Sequence, residues 1–258
     1  MKFQDFIKEI SNRALYYLSV PKCLCCHEIL DYGELAICAE CRKTYDEQKK
    51  RECSRCGKVL PTCSCSNFYL ERNRIKKLVK LYRYVPSIRE MPGNLLIYSL
   101  KHGNRRDTFD LLARELADSI QCSYDISSNP DKYIITNVPR RGAAIRNDGY
   151  DHSAVLAKRI SKILNIRYES LIKSIAKRPQ KETHGEERRK NARFSYKRKT
   201  ANLNGITVIL VDDVVTTGSS LAAAAKMIRA LGARRVVGAV VSIAYKDSCI
   251  KPKTVYNK

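Results

Sequence analysis

The 258-residue chain has no uninterrupted apolar stretch approaching the ~18 residues needed to cross a bilayer, so no transmembrane segment is expected. Its N-terminus offers no secretory apolar core either, because Asp5, Glu9 and Arg13 interrupt it; the expected location is cytoplasmic. No Gly-x-x-x-x-Gly-Lys-Ser/Thr loop is present, which excludes a P-loop nucleotidase. Negative charge is scarce: 26 acids face 49 Lys and Arg, a formal +23. Residues 72–89 contain no acid at all but seven basic side chains: Arg72, Arg74, Lys76, Lys77, Lys80, Arg83 and Arg89. Between Arg167 and Lys199 twelve basic residues stand against four acids. Charge clustered in this way points to a polyanion or a phosphorylated ligand. The apolar share of 44% is ordinary for a globular protein, so a sizeable core is expected.

Cysteine is abundant and unevenly placed. Eight of the eleven cysteines fall in four close pairs: Cys23 and Cys26, Cys38 and Cys41, Cys53 and Cys56, Cys63 and Cys65. A short gap lets two thiolates converge on one ion, and four thiolates complete a tetrahedral zinc site. Gly57 after Cys56 suits the tight knuckle in which backbone amides turn toward metal-bound sulfur. Eight ligands imply two structural zinc ions in a double ribbon over residues 21–66. Neighbouring pairs can share an ion, or the first can cross with the third; Cys25 and His27 stand close enough to substitute. Cys122 and Cys249 stand alone and read as small buried hydrophobes. With little aliphatic content, such a module depends on metal for its folding energy. Ahead of it, Phe3, Phe6, Ile7, Ile10, Ala14, Leu15 and Leu18 fall at helical spacing, predicting an amphipathic helix over residues 1–20.

Residues 67–250 read as a second unit of alternating strands and helices. Thr108–Ile120, His152–Leu164 and Ser219–Leu231 have helical spacing, while Tyr133–Val138, Thr207–Val211 and Arg235–Ile243 are aliphatic strands. Alternation with continuously aliphatic strands predicts an α/β fold, a parallel sheet with helices on both faces. Ligands of such sheets bind beyond the carboxyl ends of the strands. At one such end two consecutive carboxylates, Asp212 and Asp213, lead into Thr216-Thr217-Gly218-Ser219-Ser220 and a helix. Loop amides and hydroxyls at a helix start make an anion site, with Gly218 allowing close approach. Acids beside a phosphate cradle suit a sugar phosphate: the acids take ribose hydroxyls and the loop takes the 5′-phosphate.

This segment resembles the phosphoribosyl-pyrophosphate (PRPP) motif of type I phosphoribosyltransferases. The wider chain is similar to the ComF family, phosphoribosyltransferase-like proteins linked to bacterial DNA uptake and natural competence. The likeness rests on Pro21 before the paired cysteines, Leu100-Lys101-His102-Gly103, Val138-Pro139, and Arg146 through Asp151, with departures at Asn147 and Asp151. Gln180, Arg188, Asn191 and Phe194 follow in the family's order. The resemblance implies a type I phosphoribosyltransferase-like fold preceded by zinc ribbons. It also implies PRPP with magnesium as ligand and a transfer in which pyrophosphate leaves C1. Asp212 and Asp213 would orient the ribose as catalytic residues, and Thr216, Thr217, Gly218, Ser219 and Ser220 would hold the 5′-phosphate. Arg140 and Arg141, in the turn after a strand, would meet pyrophosphate, with the basic stretch Lys177–Arg193 as a flap. Purine-salvage members carry an acid where this chain has Thr216, so a purine acceptor is not expected.

A different class remains open: a protein handling single-stranded DNA, with PRPP as a regulatory ligand and other DNA-uptake proteins as partners. On that reading Tyr82 and Tyr84, interleaved with Lys80, Arg83 and Arg89, would stack bases while the cations hold phosphates.

Overall fold

The computed structural model describes residues 20–103, 105–175, 193–197 and 202–244. The amphipathic helix read over residues 1–20 and most of the Lys177–Arg193 stretch lie outside them, as does Cys249. Among the described residues no helix is long and apolar enough to cross a membrane.

The centre is a five-stranded parallel sheet. Its strands in chain order are β1 (Leu78–Arg83), β2 (Tyr133–Asn137), β3 (Arg167–Tyr168), β6 (Thr207–Val215) and β7 (Arg235–Ile243). They lie side by side in the order β1, β7, β6, β2, β3, so β6 is central. Two further strands, β4 (Ile172–Ser174) and β5 (Phe194–Tyr196), pair antiparallel beside the sheet. They frame the basic stretch between them.

Seven helices are described. Helix α1 (Ala39–Lys49) belongs to the first cysteine ribbon and α2 (Phe68–Arg72) follows the second. Helix α3 (Pro92–Tyr98) runs into a π-helical turn, Ser99–Gly103, and α4 (Arg106–Ser123) follows. The rest are α5 (Gly142–Asp148), α6 (His152–Leu164) and α7 (Ser219–Ala230). Strand alternation sorts the core into two faces. Ile209 and Val211 of β6 face Leu112, Leu116, Leu156 and Ile160 of α4 and α6. Val208 and Leu210 face Leu221, Ala224, Ala225 and Ile228 of α7.

The ribbons are an internal repeat. Cys23 N–H donates to Glu28 O and Cys53 N–H to Lys58 O, both at 2.8 Å. His27 N–H returns to Cys23 O as Gly57 N–H returns to Cys53 O. Lys22 bridges Ile29 as Glu52 bridges Val59. His27 (φ 64°) takes the left-handed position that Gly57 (φ 69°) fills in the second copy. This explains its place beside the first pair: it shapes the knuckle.

Neither ribbon builds a core alone, and both share the sheet's. Leu30, Ile37 and Tyr45 join the cluster on the α4/α6 face, and Leu60 joins the α7 face. Tyr45 Oη donates to Glu115 of α4 at 2.8 Å, and Lys49 and Arg42 pair with the same carboxylate. The second ribbon covers the edge strand: Leu78 N–H donates to Ser64 O at 3.0 Å, and Cys65 bridges Lys77. An uncovered edge would present unpaired backbone groups to other chains.

Three readings of single residues are corrected by the structure. Lys80 is buried, its Nζ donating to Cys63 O at 2.9 Å, Cys65 O at 2.8 Å and Cys63 Sγ at 3.2 Å. Tyr82 is buried too, its ring edge-on to Tyr45 and its hydroxyl donating to Gly93 O at 2.7 Å. Neither can serve as a phosphate contact or a stacking ring. Cys122 is exposed rather than buried, because it lies in the last turn of α4, past the end of that helix's apolar stripe.

Candidate functional site

The aliphatic run of β6 drives the central strand through the core and delivers Asp212 and Asp213 to its carboxyl end. Alternation then separates the two acids. Asp213 follows Ile209 and Val211 onto the α4/α6 face, where its Oδ2 lies 3.1 Å from Lys101 Nζ and 3.1 Å from His152 Nε2. The Lys101 contact is an ion pair, the His152 contact sets an imidazole nitrogen against the same oxygen, and neither has aligned hydrogen-bond angles. Asp213 Oδ1 accepts from Val214 N–H at 2.7 Å, while Asp212 Oδ1 accepts from Asp213 N–H at 3.0 Å.

The environments drive the two carboxyls apart. Burial alone would raise Asp213, but the Lys101 ammonium and the His152 contact outweigh it and hold the group far below the usual carboxylate range. Burial together with the Asp213 charge pushes Asp212 well above that range. Lys101 is itself raised, since the attraction of Asp213 exceeds its own desolvation. One carboxyl is thus fixed as an anion, and its neighbour favours a proton.

Immediately beyond β6 the chain makes the predicted turn. Gly218 takes the left-handed conformation (φ 86°) as the cap of α7. A Cβ there would fall 2.7 Å from Leu70 Cδ2, so a side chain is excluded by both backbone and packing. Thr217 Oγ1 and Ser219 Oγ hydrogen-bond each other at 2.8 Å, Ser219 N–H points at Thr217 Oγ1 at 3.3 Å, and Thr216 is exposed. Ser220 opens the first turn of α7. The arrangement gathers hydroxyls and helix-start amides at the start of α7, the kind of groups that bind a phosphate.

Arg140 and Arg141 follow β2, which pairs with β6 through Asn137 and Val211, so their loop adjoins the acids' strand end. Arg140 is engaged within its own loop: its guanidinium pairs with Asp148 at 2.6 Å and donates to Tyr150 O at 3.3 Å, and its N–H donates to Asp151 Oδ2. Arg141 stands at the cap of α5. Lys101 and His152 were not singled out as site residues in the sequence. They lie far from Asp213 in the chain, and only the fold joins them. Two clefts lie nearby: one of about 420 Å³ beyond β3, and one of about 610 Å³ between the first ribbon and the π-turn. Neither is lined by the acids or the Thr216–Ser220 turn.

The eight paired cysteines form two clusters, Cys23/Cys26/Cys38/Cys41 and Cys53/Cys56/Cys63/Cys65, with all sulfurs of a cluster within 4.8 Å of one another. Neighbouring pairs therefore share a site, and Cys25 and His27 stand outside both. Cys26 and Cys38, like Cys56 and Cys63, have sulfurs 3.6 Å apart. Zn–S bonds of about 2.3 Å at tetrahedral angles place sulfurs about 3.8 Å apart, so either cluster could hold zinc. Burial raises Cys23 and Cys53, but backbone N–H donors outweigh it and bring them down to about 6 and about 7, whereas burial and the neighbouring thiols push Cys65 up to about 12 and raise Cys41.

Comparison with known proteins defines the class first: residues 151–258 match the family model described as Phosphoribosyl transferase domain. With the parallel sheet and its helices, the chain has a type I phosphoribosyltransferase fold. Its particular relatives are competence and DNA-utilisation proteins. It is 26% identical to DNA utilization protein YhgH of Salmonella typhi, over 85% of this chain and 96% of that protein. It is 25% identical to Competence protein F of Haemophilus influenzae, over 83% of this chain and 93% of that protein. Among solved structures, purine phosphoribosyltransferase from Pyrococcus horikoshii Ot3 covers 54% of this chain and 81% of its own, at 20% identity and a TM-score of 0.34.

The split between the two carboxyls yields a signed prediction. Asp213→Asn leaves Lys101 and His152 facing a neutral amide and should destabilise the ligand-free protein by about 2 kcal/mol. This is less than a fully buried pair would cost, because the Lys101 side chain is 34% exposed. Asp212→Asn should stabilise it at neutral pH, since it removes a carboxyl whose charged form burial disfavours. A raised folded pKa means wild-type stability falls as pH rises above the unfolded value of about 4, so the gain from Asp212→Asn should vanish below that pH. Thermal melts of both variants from pH 3.5 to 8 check the signs.

Proposed function

We propose that this protein binds PRPP with magnesium at the carboxyl end of β6 and acts as a ComF-like phosphoribosyltransferase-family protein in DNA uptake. One observation carries the reading: two adjacent acids near the carboxyl end of the central strand are followed within three residues by the turn that Gly218 caps into α7, in a chain with a phosphoribosyl transferase domain. Asp213, already ionised, would accept the ribose hydroxyls, and Asp212 would join it directly or through water. Thr216, Thr217, Gly218, Ser219 and Ser220 would hold the 5′-phosphate. Arg141 would face the pyrophosphate, with Arg140 fixing its loop through Asp148. Asp212 and Asp213 would hold magnesium with the ligand, and the ion, when bound, would supply charge neutralisation for the leaving pyrophosphate. The acids and the neighbouring phosphate turn fit that ion–ligand complex. A phosphoribosyl transfer would need little from the protein beyond such positioning, since its transition state is a sugar cation.

PRPP with magnesium should raise the melting temperature by mass action on the native state. The Asp212→Asn/Asp213→Asn double variant should lose most of that rise. Its two stability effects oppose each other, so the ligand-free melt should stay near the wild-type value. A full rise in the double variant would place the ligand elsewhere.

We further propose that each cysteine cluster holds one structural zinc ion. A zinc tetrathiolate carries excess negative charge, and the buried ammonium of Lys80 on Cys63 Sγ offsets part of it at the second cluster. Elemental analysis should find two zinc ions per chain, and clearly fewer than one would contradict the proposal.

The relatives named DNA utilization protein favour a second reading in which DNA is the partner; we take it as single-stranded, with the surface displaced from where the sequence suggested. Arg72, Arg74, Lys76 and Lys77 remain exposed, and Gly238 N–H donates to Lys77 O, which brings the exposed Arg235 at the start of β7 beside them. This patch lies at the amino edge of the sheet, opposite the acids. Single-strand binding should weaken steeply with salt, as counterion release requires, and weaken further in Lys76→Glu/Lys77→Glu/Arg235→Glu. Filter binding across a salt series checks both; affinity flat with salt would remove the patch from consideration.

A further inference from the structure

Lys101 and His152 reach the same oxygen of Asp213 from different elements and in different states of exposure. His152 is the first residue of α6, its side chain 6% exposed and wedged against the carboxylate. Lys101 comes from the π-helical turn, and its side chain is 34% exposed. A buried histidine is thus locked in place, while the Lys101 ammonium sits at the mouth of the site on a flexible four-carbon stem. The π-turn that carries Lys101 is itself fixed, since Tyr150 Oη donates to Leu100 O at 2.9 Å and the Tyr98 and His102 rings lie 4.9 Å apart. Such turns are a costly local geometry that recurs at functional sites.

The direction of a bound ligand follows from the two faces. The phosphate turn leads into α7, on one face of the sheet, whereas Lys101 and His152 come from the α4/α6 face. A phosphoribose whose 5′-phosphate sits at the turn and whose diol sits on Asp213 therefore extends its C1 end toward Lys101. We infer that Lys101 is a transferable cation: it neutralises Asp213 in the empty site and moves to the pyrophosphate when the ribose hydroxyls take its place on the carboxylate. His152 remains as the positioning residue that keeps Asp213 aimed. This rests on the phosphoribose reading of the site and adds the group that senses the pyrophosphate.

The two roles separate by ligand. Isothermal titration with PRPP, ribose 5-phosphate and inorganic pyrophosphate, each with magnesium chloride, on wild type, Lys101→Met, Lys101→Arg and His152→Gln tests them, with melting curves to confirm folding. Lys101→Met should weaken PRPP and pyrophosphate about tenfold or more, as loss of a charge-assisted contact does, and leave ribose 5-phosphate within about twofold. Lys101→Arg should retain most of the PRPP affinity. His152→Gln should weaken PRPP and ribose 5-phosphate in parallel. Equal losses for PRPP and ribose 5-phosphate in Lys101→Met, or unchanged pyrophosphate binding, would overturn the transferable role and leave the site reading intact. A wild type that binds none of the three would instead overturn the phosphoribose reading itself.

Discussion

A carboxylate kept charged near the end of a buried strand is the constraint around which the sheet half of this protein is arranged. An anion in that position cannot stand alone, because removing it from water costs several kcal/mol unless cations return the loss. The fold supplies an ammonium, Lys101 on the π-turn, and a buried imidazole, His152 at the start of α6, from two places distant in sequence. The π-turn, the Tyr150–Leu100 hydrogen bond and the packing of α6 against β6 therefore all bear on one oxygen atom. Asp212 takes the opposite state because its neighbour already holds the charge. Adjacent acids on one strand thus acquire different tasks without any difference in residue type.

The cysteine ribbons serve the same sheet from its edge. Their knuckles repeat one backbone pattern, yet each copy docks differently: the first on α4 through Glu115, the second on β1 through Ser64, Cys65 and Lys80. The second also leads into α2, whose Leu70 lies under Gly218 of the phosphate turn. The ordering of that turn is in this way connected by direct contact to the segment that follows the second cysteine cluster. Ribbons in this position cover a strand edge and buttress a loop.

Much of this was legible before the fold was known, and the reason is periodicity. Helix His152–Leu164 and strand Arg235–Ile243 have the expected bounds because strong aliphatic patterns end abruptly at Asp151, Asn165, Arg234 and Ala244. The expected strand at Thr207 was cut at Val211, whereas it continues to Val215; the acids interrupt the apolar pattern but not the hydrogen bonding to β7. The pairing of the cysteines was open because spacing alone permits either order. Lys80 and Tyr82 were misread because a residue's charge or ring says nothing about what covers it, and the cover comes from the second ribbon. Lys101 stands in the sequence only as part of the family-like Leu100–Gly103 segment and His152 only as the start of a helix; their convergence on Asp213 exists only in three dimensions.

The central claim is that one end of β6 holds a phosphoribose with its 5′-phosphate in the α7 turn. Phosphorus-31 NMR of magnesium–PRPP titrated with the full chain reports the 5′-phosphate and both pyrophosphate phosphorus atoms separately. The account predicts that the 5′-phosphate resonance broadens and shifts along with the pyrophosphate pair, and that Asp213→Asn abolishes the change at all three. Pyrophosphate resonances that respond while the 5′-phosphate stays sharp and unshifted would contradict it.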